Sequence, residues 1–363
     1  MKRTKIIATI GPASEDPVIL KQLLVNGTDL CRFNLKHNTL EWHKGCITKV
    51  GEIAKEIEKE VGIIVDLPSK DKLPDWKEVD FFALSYLTNS SEVKELKEMI
   101  SNKGLTTGVI AKIENKQALD DLENIVEVAD GIMVARGDLG IAVPLEELAY
   151  WQKKIIDLCR QKNKPVIVAT QMLLSMVSNP SPTRAEATDV ANAVFDGADA
   201  LMLSEETAIG KFSDKAVEEM QKIIVFCEDK NDVKQIVKTR KSFAEVLISA
   251  ATHIINDPGI SDIKGAIIFS QSGASARILS AYRLKIPLLV ISDNLETCHR
   301  LKLSYGVTSY YRQFENKQFT IEGSIFEELV QKGIFNRGDL VIAIHGNNWI
   351  NQGTTSDISL KTL

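Results

Sequence analysis

Short apolar runs that end abruptly in charged residues are the most regular feature of the chain. Two of them, within residues 108–115 and 130–140, are rich in Val and Ile, as strands buried on both faces are. Lys112 and Glu114 alternate to the same side of the first run, and Asp138 ends the second beside two glycines. Such groups can hold a divalent cation and an anionic substrate together, although each carboxylate also fits an ordinary surface loop.

Six further apolar runs, with helical patterns between them, complete a repeating order of strand and helix. Eight strands that alternate with helices within residues 1–228 predict an α/β fold of the (β/α)8 TIM barrel type. A polar, proline-marked link, residues 67–76, precedes the fourth strand. The remaining predicted strands are 5–10, 28–35, 62–67, 79–85, 165–170 and 198–204, and the predicted helices are 16–26, 40–61, 91–101, 116–128, 145–163, 183–196 and 213–228.

Each predicted strand ends in at least one polar side chain. In (β/α)8 barrels the active site lies at the carboxyl ends of the strands, so this regularity predicts an enzyme. The residues at these ends are Thr9, Arg32, Asn34, Asp66, Ser85, Lys112, Glu114, Arg136, Asp138, Thr170, Ser204, Glu205 and Glu206.

The pattern changes after the last barrel helix. Residues 229–240 are highly charged and predict a linker, and residues 241–363 predict a separate three-layer α/β domain at the carboxyl terminus. Its predicted helices are 243–255, 272–282, 295–305 and 319–332, and its predicted strands are 265–269, 287–291, 307–311, 339–344 and 356–361.

A serine-rich turn in this second domain joins a predicted strand to a predicted helix. Its hydroxyl and backbone N–H groups could cradle a phosphate at the start of the helix. The alternative is an ordinary turn in which Ser272 caps the helix. The turn contains Ser270, Ser272, Gly273 and Ser275.

Composition narrows the class of protein. At 44% hydrophobic residues the chain can bury a large core, and a net charge of −5 gives no reason to expect nucleic acid or an anionic membrane as a partner. Five cysteines without CxxC spacing predict reduced thiols. The first residues contain too short an apolar run for a signal peptide and no stretch could span a bilayer, so we expect a cytoplasmic protein.

Long motifs in both predicted domains resemble those of one known family. They are TIGPAS at 9–14, RFNLKH at 32–37, AKIEN at 111–115, MVARGDLG at 133–140, ATQML at 169–173 and PTRAEATDVANAV at 182–194, with shorter matches at 338–341, 345–346 and 353–355. On these motifs the chain resembles the pyruvate kinase family over nearly its whole length. The resemblance implies transfer of a phosphoryl group from phosphoenolpyruvate to ADP, which gives pyruvate and ATP.

The resemblance also implies the charged part of the site. Glu114 and Asp138 would hold Mg²⁺ (or Mn²⁺), which would bridge phosphoenolpyruvate and the transferring phosphoryl group. Lys112 would stabilise the charge that develops on the phosphoryl group and the enolate oxygen, and Arg32 would meet the phosphate.

Further roles follow from the same resemblance. The backbone N–H groups of Gly137 and Asp138 would bind the substrate carboxylate, with Thr170 beside them. Thr170 and Ser204 would lie on the route that protonates the enolate. The remaining implied features are Asn34 and His37 facing the nucleotide, a sugar-phosphate effector at the loop of Ser270, Ser272, Gly273 and Ser275, and a homo-oligomer, either tetramer or dimer.

Several departures from the family pattern bear on activity. The strand at 62–67 is followed directly by the short link, so the family's β-rich lid and an arginine that would face the nucleotide are absent. Lids exclude water and complete such sites, so we expect activity to be slow or altered. Glu205 stands where the family has glycine, and Ala142 and Leu174 are smaller departures.

Lys36 replaces a serine that helps to bind K⁺ in the family. The other residues of that K⁺ site, Asn34 and Asp66, are still present. A lysine ammonium is a compact positive charge with three donors, so Lys36 could supply internally the charge that K⁺ supplies elsewhere. The alternative is a lysine that simply points to solvent, and the sequence leaves both open.

Two other functions remain open at this stage. One is a non-catalytic relative that binds phosphoenolpyruvate or a sugar phosphate as a sensor. The other is a lyase or decarboxylase that uses the same Mg²⁺–enolate site. The intact residues Lys112, Glu114, Asp138 and Thr170 favour catalysis, whereas the missing lid favours the alternatives.

Overall fold

The structure is a computed structural model that describes residues 2–230, 242–260, 262–313, 323–346 and 355–363. The chain divides into two compact units, Lys2–Val233 and Lys234–Leu363. The first holds the predicted barrel and the second the predicted α/β domain. The predicted linker, residues 229–240, lies outside the described residues from position 231 onward.

The strands of the first unit form a closed parallel barrel. They are β1 (Lys5–Thr9), β2 (Leu30–Asn34), β3 (Gly62–Leu67), β4 (Phe81–Leu84), β5 (Gly108–Ile113), β6 (Gly131–Ala135), β7 (Val166–Ala169) and β8 (Ala200–Leu203). Each pairs with the next in the chain, and β8 pairs with β1. All six residues of β5 are buried, as its continuous apolar run predicts. The predicted (β/α)8 fold is confirmed.

The helices of this unit differ from the prediction at three points. The predicted helix 116–128 is two helices that meet at Asp121, and the predicted helix 40–61 ends at Glu56, just before Glu58 with a positive φ of 53°. Short helices that were not predicted follow β6 and β8 directly. The helices are α1 (Pro17–Val25), α2 (Leu40–Glu56), α3 (Ser90–Asn102), α4 (Lys116–Asp120), α5 (Leu122–Val128), α6 (Arg136–Ala142), α7 (Leu148–Gln161), α8 (Arg184–Asp196), α9 (Glu205–Ala208) and α10 (Ser213–Lys230).

Close packing between strands and helices makes the barrel a rigid support for its strand ends. Phe33, Phe81 and Phe82 are completely buried, and each such side chain contributes about 1.5–3 kcal/mol by leaving water. A Cβ at Gly108 would lie only 2.9 Å from the Phe81 ring, so that strand position requires glycine. Strands held this tightly fix the direction of the polar side chains that follow them.

The connection between β3 and β4 is short and packed onto the barrel. It contains a 3-10 turn over Lys70–Lys72, and its residues Leu73 and Val79 are buried. Lys70 forms an ion pair with Glu95 at the surface. The connection therefore packs against the apolar core of the barrel unit, and no separate domain is inserted between these two strands.

The second unit contains a five-stranded sheet with only its last strand antiparallel to its neighbour. In spatial order the strands are β11 (Val307–Tyr311), β10 (Leu288–Ser292), β9 (Ile263–Phe269), β12 (Leu340–Gly346) and β13 (Thr355–Thr362). Ile267 and Ile268 are adjacent in β9 but belong to two different apolar clusters, so the sheet is covered on both faces, as predicted for three layers. Of the predicted features, helix residues 319–322 and motif residues 353–354 lie outside the described residues. The helices of this unit are α11 (Phe243–Ile255), α12 (Ala274–Ser280), α13 (Leu295–Leu301) and α14 (Gly323–Gln331).

All five cysteines lie within the described ranges and are buried free thiols. Burial raises the pKa of Cys31 to about 12, so this thiol stays protonated at neutral pH. Within the same ranges, no helix combines the length and the apolar character that crossing a membrane requires.

Candidate active site

Asp66, at the carboxyl end of β3, is the centre of a buried charge cluster. Its carboxylate accepts hydrogen bonds from Arg32 at 2.6 and 3.0 Å, from Ser85 Oγ at 3.0 Å and from Lys112 Nζ at 3.2 Å. These residues come from β2, β5 and the end of β4, so the closed barrel is what brings them together. Asp66 is 1% exposed, and its two cationic partners are almost as deeply buried.

Lys112 joins this cluster to Glu114. The Lys112 ammonium lies 2.7 Å from Glu114 Oε1 and donates to Ser85 Oγ at 2.7 Å. The other oxygen of Glu114 accepts a 2.6 Å hydrogen bond from the backbone N–H of Tyr86. That residue adopts a positive φ of 57°, an unusual conformation for an aromatic residue, which turns its N–H toward the carboxylate.

The pKa values in the cluster follow from burial and opposing charge. Burial alone would raise the pKa of Asp66, but the charges of Arg32 and Lys112 outweigh it and hold that pKa below its ordinary value. Burial opposes the Lys112 charge, yet the two carboxylates keep the Lys112 pKa above its ordinary value. Burial raises the pKa of Glu114, and the positive charge of Lys112 offsets only part of this rise.

Arg136, at the end of β6, connects α8 to the loop after β7. Its guanidinium donates to Asp189 at 2.8 Å, to the backbone carbonyl of Thr170 at 2.8 Å and to Met172 Sδ at 2.7 Å. The two terminal nitrogens of the guanidinium are therefore held by α8 and the loop after β7. We interpret Arg136 as the residue that positions the Thr170 loop.

Thr170 itself is held in a strained conformation. Its φ is +71° and that of Gln171 is +54°, in the left-handed region that β-branched residues seldom adopt. Strain of this kind costs about 1–3 kcal/mol and persists only where surrounding contacts impose it. Here the contacts are the Arg136 bond and a 2.7 Å hydrogen bond from the Gly137 N–H to Thr170 Oγ1. Two of the three residues predicted to bind the substrate carboxylate, Gly137 and Thr170, thus lie in direct contact.

The loop after β8 presents an unsatisfied hydroxyl. Ser204 Oγ is buried and makes no hydrogen bond with the described residues. The residue is fixed through its backbone N–H, which donates to the completely buried carboxylate of Glu206 at 2.7 Å. The same carboxylate accepts from Leu173 N at 3.0 Å, so Glu206 ties the ends of β7 and β8 together.

A cavity of about 520 Å³ opens at these strand ends. A larger cavity of about 720 Å³ lies on the outside of the barrel beside α5 and α7, away from the strand ends, and we do not assign it a role. Lys112, Glu114, Gly137 and Asp138 are not part of the wall of the smaller cavity. Lys112 is linked to the wall residue Arg32 through Asp66, and Gly137 contacts the wall residue Thr170 directly. Its wall includes the predicted site residues Arg32, Asn34, His37, Thr170 and Ser204, together with Thr9, Gly11, Asn38, His43, Glu205 and Ile209.

Glu114 and Asp138 fit a hard divalent cation by their chemistry. Both offer carboxylate oxygens, which Mg²⁺ prefers, and they follow the neighbouring strands β5 and β6. Asp138 is exposed and makes no hydrogen bond or ion pair with any described residue, so its oxygens are open to a ligand. Over the described ranges no group of three or more His, Cys, Asp or Glu could hold a metal ion, so water or a substrate would supply the remaining ligands.

The residues of the predicted K⁺ site are close together but engaged elsewhere. Asp66 is surrounded by Arg32 and Lys112, and Asn34 Oδ1 accepts the backbone N–H of Lys36 at 3.2 Å. The Lys36 side chain is exposed, and its ammonium has no partner among the described residues. The two cations that reach Asp66 are therefore Arg32 and Lys112.

The serine-rich turn of the second unit uses its polar groups locally. Ser270 Oγ accepts the Gly273 N–H at 3.0 Å, and Ser275 Oγ lies 2.5 Å from Thr355 Oγ1. The helix begins at Ala274 and not at the predicted residue 272, because Gly273 with a φ of +71° caps it in place of Ser272. Binding of an effector at this turn stays a prediction.

The sequence-based interpretation assigned no individual role to Ser85, Tyr86 or the positioning residue Arg136. Ser85 and Arg136 had a signal, since both are polar and end a strand. Tyr86 had none, because it contributes only a backbone N–H through an unusual dihedral angle.

Comparison with known proteins agrees with this architecture. A family model described as "Pyruvate kinase, barrel domain" matches residues 1–72 and 70–217, and one described as "Pyruvate kinase, alpha/beta domain" matches residues 245–359. Proteins named pyruvate kinase from Staphylococcus aureus strains MRSA252 and USA300 are each 29% identical over 471 aligned residues, covering 98% of this chain and 80% of theirs.

A solved structure supports the fold independently. It is described as a pyruvate kinase from Cryptosporidium parvum and superimposes with a TM-score of 0.86, covering 99% of this chain and 96% of that chain at 24% identity. At that identity the likeness concerns the fold alone. Together the two family matches span most of both units, and the chain belongs to the pyruvate kinase family.

Proposed function

We propose that this protein transfers a phosphoryl group from phosphoenolpyruvate to ADP and releases pyruvate and ATP. The observation that carries the proposal is the cluster of Arg32, Asp66, Lys112 and Glu114, buried at the strand ends beside a cavity. Membership of the pyruvate kinase family supports the same reaction. Phosphoryl transfer depends mainly on positioning and charge neutralisation, which a rigid cluster of this kind provides.

Two cations would receive the phosphoryl group. The Arg32 guanidinium is held by Asp66 and by a 3.1 Å bond to Thr9 Oγ1, so its orientation is fixed before substrate arrives. Lys112 is fixed by Asp66, Ser85 and Glu114, and its raised pKa keeps it charged at neutral pH. Donors that are already oriented stabilise a developing charge without further reorganisation.

Glu114 and Asp138 would hold Mg²⁺ or Mn²⁺. The bound cation would neutralise charge on the phosphoryl and enolate oxygens. Glu114 contributes from a fixed position, since the Tyr86 N–H and Lys112 orient its carboxylate. Asp138, at the exposed start of α6, is free to turn toward the ligand.

The loops after β6, β7 and β8 would bind the substrate carboxylate and supply the proton. Gly137 now donates its N–H to Thr170 Oγ1, so a substrate carboxylate would exchange with that hydroxyl as the acceptor. Thr170 and Ser204 both line the cavity, and Ser204 Oγ has no partner among the described residues. These hydroxyls would relay the proton that converts the enolate to pyruvate.

We further propose that the enzyme works without the family's lid. The family model matches the barrel in two segments that meet at residues 70–72, within the short link. The alignment with the Staphylococcus relatives runs over 471 positions, 108 more than the 363 residues of this chain, so those relatives contain segments that this chain lacks. Asn34 and His37, the proposed nucleotide contacts, belong to the barrel and line its cavity. An open site excludes water less well, so we expect slow turnover.

A coupled assay tests the proposal. Pyruvate formation from phosphoenolpyruvate should require both ADP and Mg²⁺, and Lys112→Met should reduce kcat by about 10³-fold or more, in line with the loss of a preorganised electrostatic group. The matched control is Lys103→Met, which removes an exposed lysine at the end of α3 and should leave kcat unchanged.

The assay also separates the alternatives. Mg²⁺-dependent binding of phosphoenolpyruvate without any pyruvate formation would identify a binding protein. Consumption of an oxo acid without a nucleotide would identify a lyase or decarboxylase. Either result would contradict phosphoryl transfer to ADP.

A further inference from the structure

Glu205 carries an exposed charge in the cavity that the fold does not require. It is the first residue of α9, whose next two residues, Glu206 and Thr207, are completely buried. Those two make the structural contacts, Glu206 with the loops after β7 and β8, and Thr207 Oγ1 with the Thr9 carbonyl at 2.8 Å. The Glu205 carboxylate makes no hydrogen bond or ion pair with any described residue, although it lines the cavity.

The charge balance of the cavity wall makes this carboxylate important for binding. Among the described residues of that wall, Arg32 is the only lysine or arginine, and its charge is already neutralised by Asp66 at 2.6 Å. The wall of the cavity therefore presents one unneutralised carboxylate and no unneutralised Lys or Arg to a polyphosphate, and the exposed Lys36 lies outside that wall.

We propose that Glu205 determines the specificity for the phosphoryl acceptor by repelling negative charge. This inference rests on the proposed function, since it takes the cavity to be the nucleotide site. Repulsion grows with the charge of the ligand, so Glu205 disfavours uncomplexed ADP, with a charge of about −3, more than ADP neutralised by a divalent cation. A neutral nucleoside is not affected. The acceptor that this site favours is a metal-complexed nucleoside diphosphate.

Direct binding measurements test the role of Glu205 without relying on turnover. Calorimetric titration of ADP in the absence of divalent cations should show binding about fivefold or more tighter in Glu205→Gln than in the wild type at about 20 mM salt. The difference should fall below about twofold at about 0.5 M salt, because salt screens exposed charges. Glu205→Gly should act in the same direction, since it also removes the carboxylate.

Controls isolate the electrostatic effect. Glu146→Gln makes the same change of charge at an exposed position outside the cavity and should leave ADP affinity unchanged. Adenosine, which carries no charge, should bind equally to the wild type and Glu205→Gln. A gain that also appears for adenosine would show a change of shape instead of charge and would overturn the proposal.

Other results would also overturn it. They are an equal or weaker ADP affinity in Glu205→Gln, a gain that persists at high salt, or no detectable ADP binding in either protein. Because no turnover is measured, the proposed function can fail separately. A protein that binds ADP more tightly after Glu205→Gln but forms no pyruvate would retain this inference and lose the catalytic one.

Discussion

Replacing Asp66 by asparagine should destabilise the barrel unit strongly. The substitution keeps the size of the side chain but removes the negative charge that Arg32 and Lys112 share. Both cations would then be buried without an adequate partner. Removing one partner of a buried ion pair typically costs about 3–5 kcal/mol, chiefly because the other charge stays buried and uncompensated.

The structure places the expected loss at the lower end of that range. The side chains are only 1% exposed for Asp66 and 9% for Arg32 and Lys112, so solvent screens the charges little. However, an asparagine oxygen can still accept one of the hydrogen bonds, and Glu114 still balances part of the Lys112 charge. We expect a loss of about 3 kcal/mol, which for a unit of this size lowers the thermal midpoint by roughly 6–12 °C.

The loss should also depend on pH in a defined direction. The folded-state pKa of Asp66 lies below its value in the unfolded chain. Such a carboxylate contributes stability that is present above the unfolded-state pKa and is lost as the pH falls through the folded-state pKa. The gap between wild type and Asp66→Asn should therefore be largest near pH 7 and narrow below about pH 4.

Urea unfolding followed by tryptophan fluorescence measures both effects, because Trp42, Trp76 and Trp151 lie in the barrel unit. The control is Asp75→Asn, an exposed aspartate in the link without a partner among the described residues, which should cost less than about 0.5 kcal/mol. A loss below about 1 kcal/mol for Asp66→Asn at pH 7, or a gap that widens in acid, would refute the interpretation of the cluster.

Three further predictions concern the ligands. Glu114→Gln should abolish Mg²⁺-dependent binding of phosphoenolpyruvate or oxalate in calorimetry, and wild-type binding that ignores Mg²⁺ would contradict the metal site. If the Lys36 ammonium replaces K⁺, wild-type turnover should be equal in Na⁺ and K⁺ buffers, and Lys36→Ser should lose activity in Na⁺ but regain some with K⁺. A strong rise of wild-type turnover with K⁺ would refute the replacement of K⁺ by Lys36. The KM for ADP should lie above the micromolar range. The double variant Lys70→Ala/Lys72→Ala should change this KM less than about twofold, because Lys70 pairs with Glu95. A micromolar KM that is unchanged in the double variant would contradict weak nucleotide binding.

The sequence predicts a side chain's position best where that position depends only on the residue's own strand. Lys112 and Glu114 were placed on one side of β5 by alternation alone, and the structure shows them 2.7 Å apart. The sequence predicts positions less well where they depend on the backbone conformation of loops and helix ends. The Gly273 cap and the helix break at Asp121 each come from backbone dihedral angles that the periodic pattern does not encode.

Local apolar periodicity accounts for the eight strands, for their alternation with helices and for the polar groups that follow the strands. Which of these groups meet depends on how the barrel closes. Asp66 became the centre of the cluster because closure of the barrel places Arg32 and Lys112 against it from two other strands. Likewise Arg136 holds the Thr170 loop because neighbouring strands end side by side, a proximity that sequence spacing does not express.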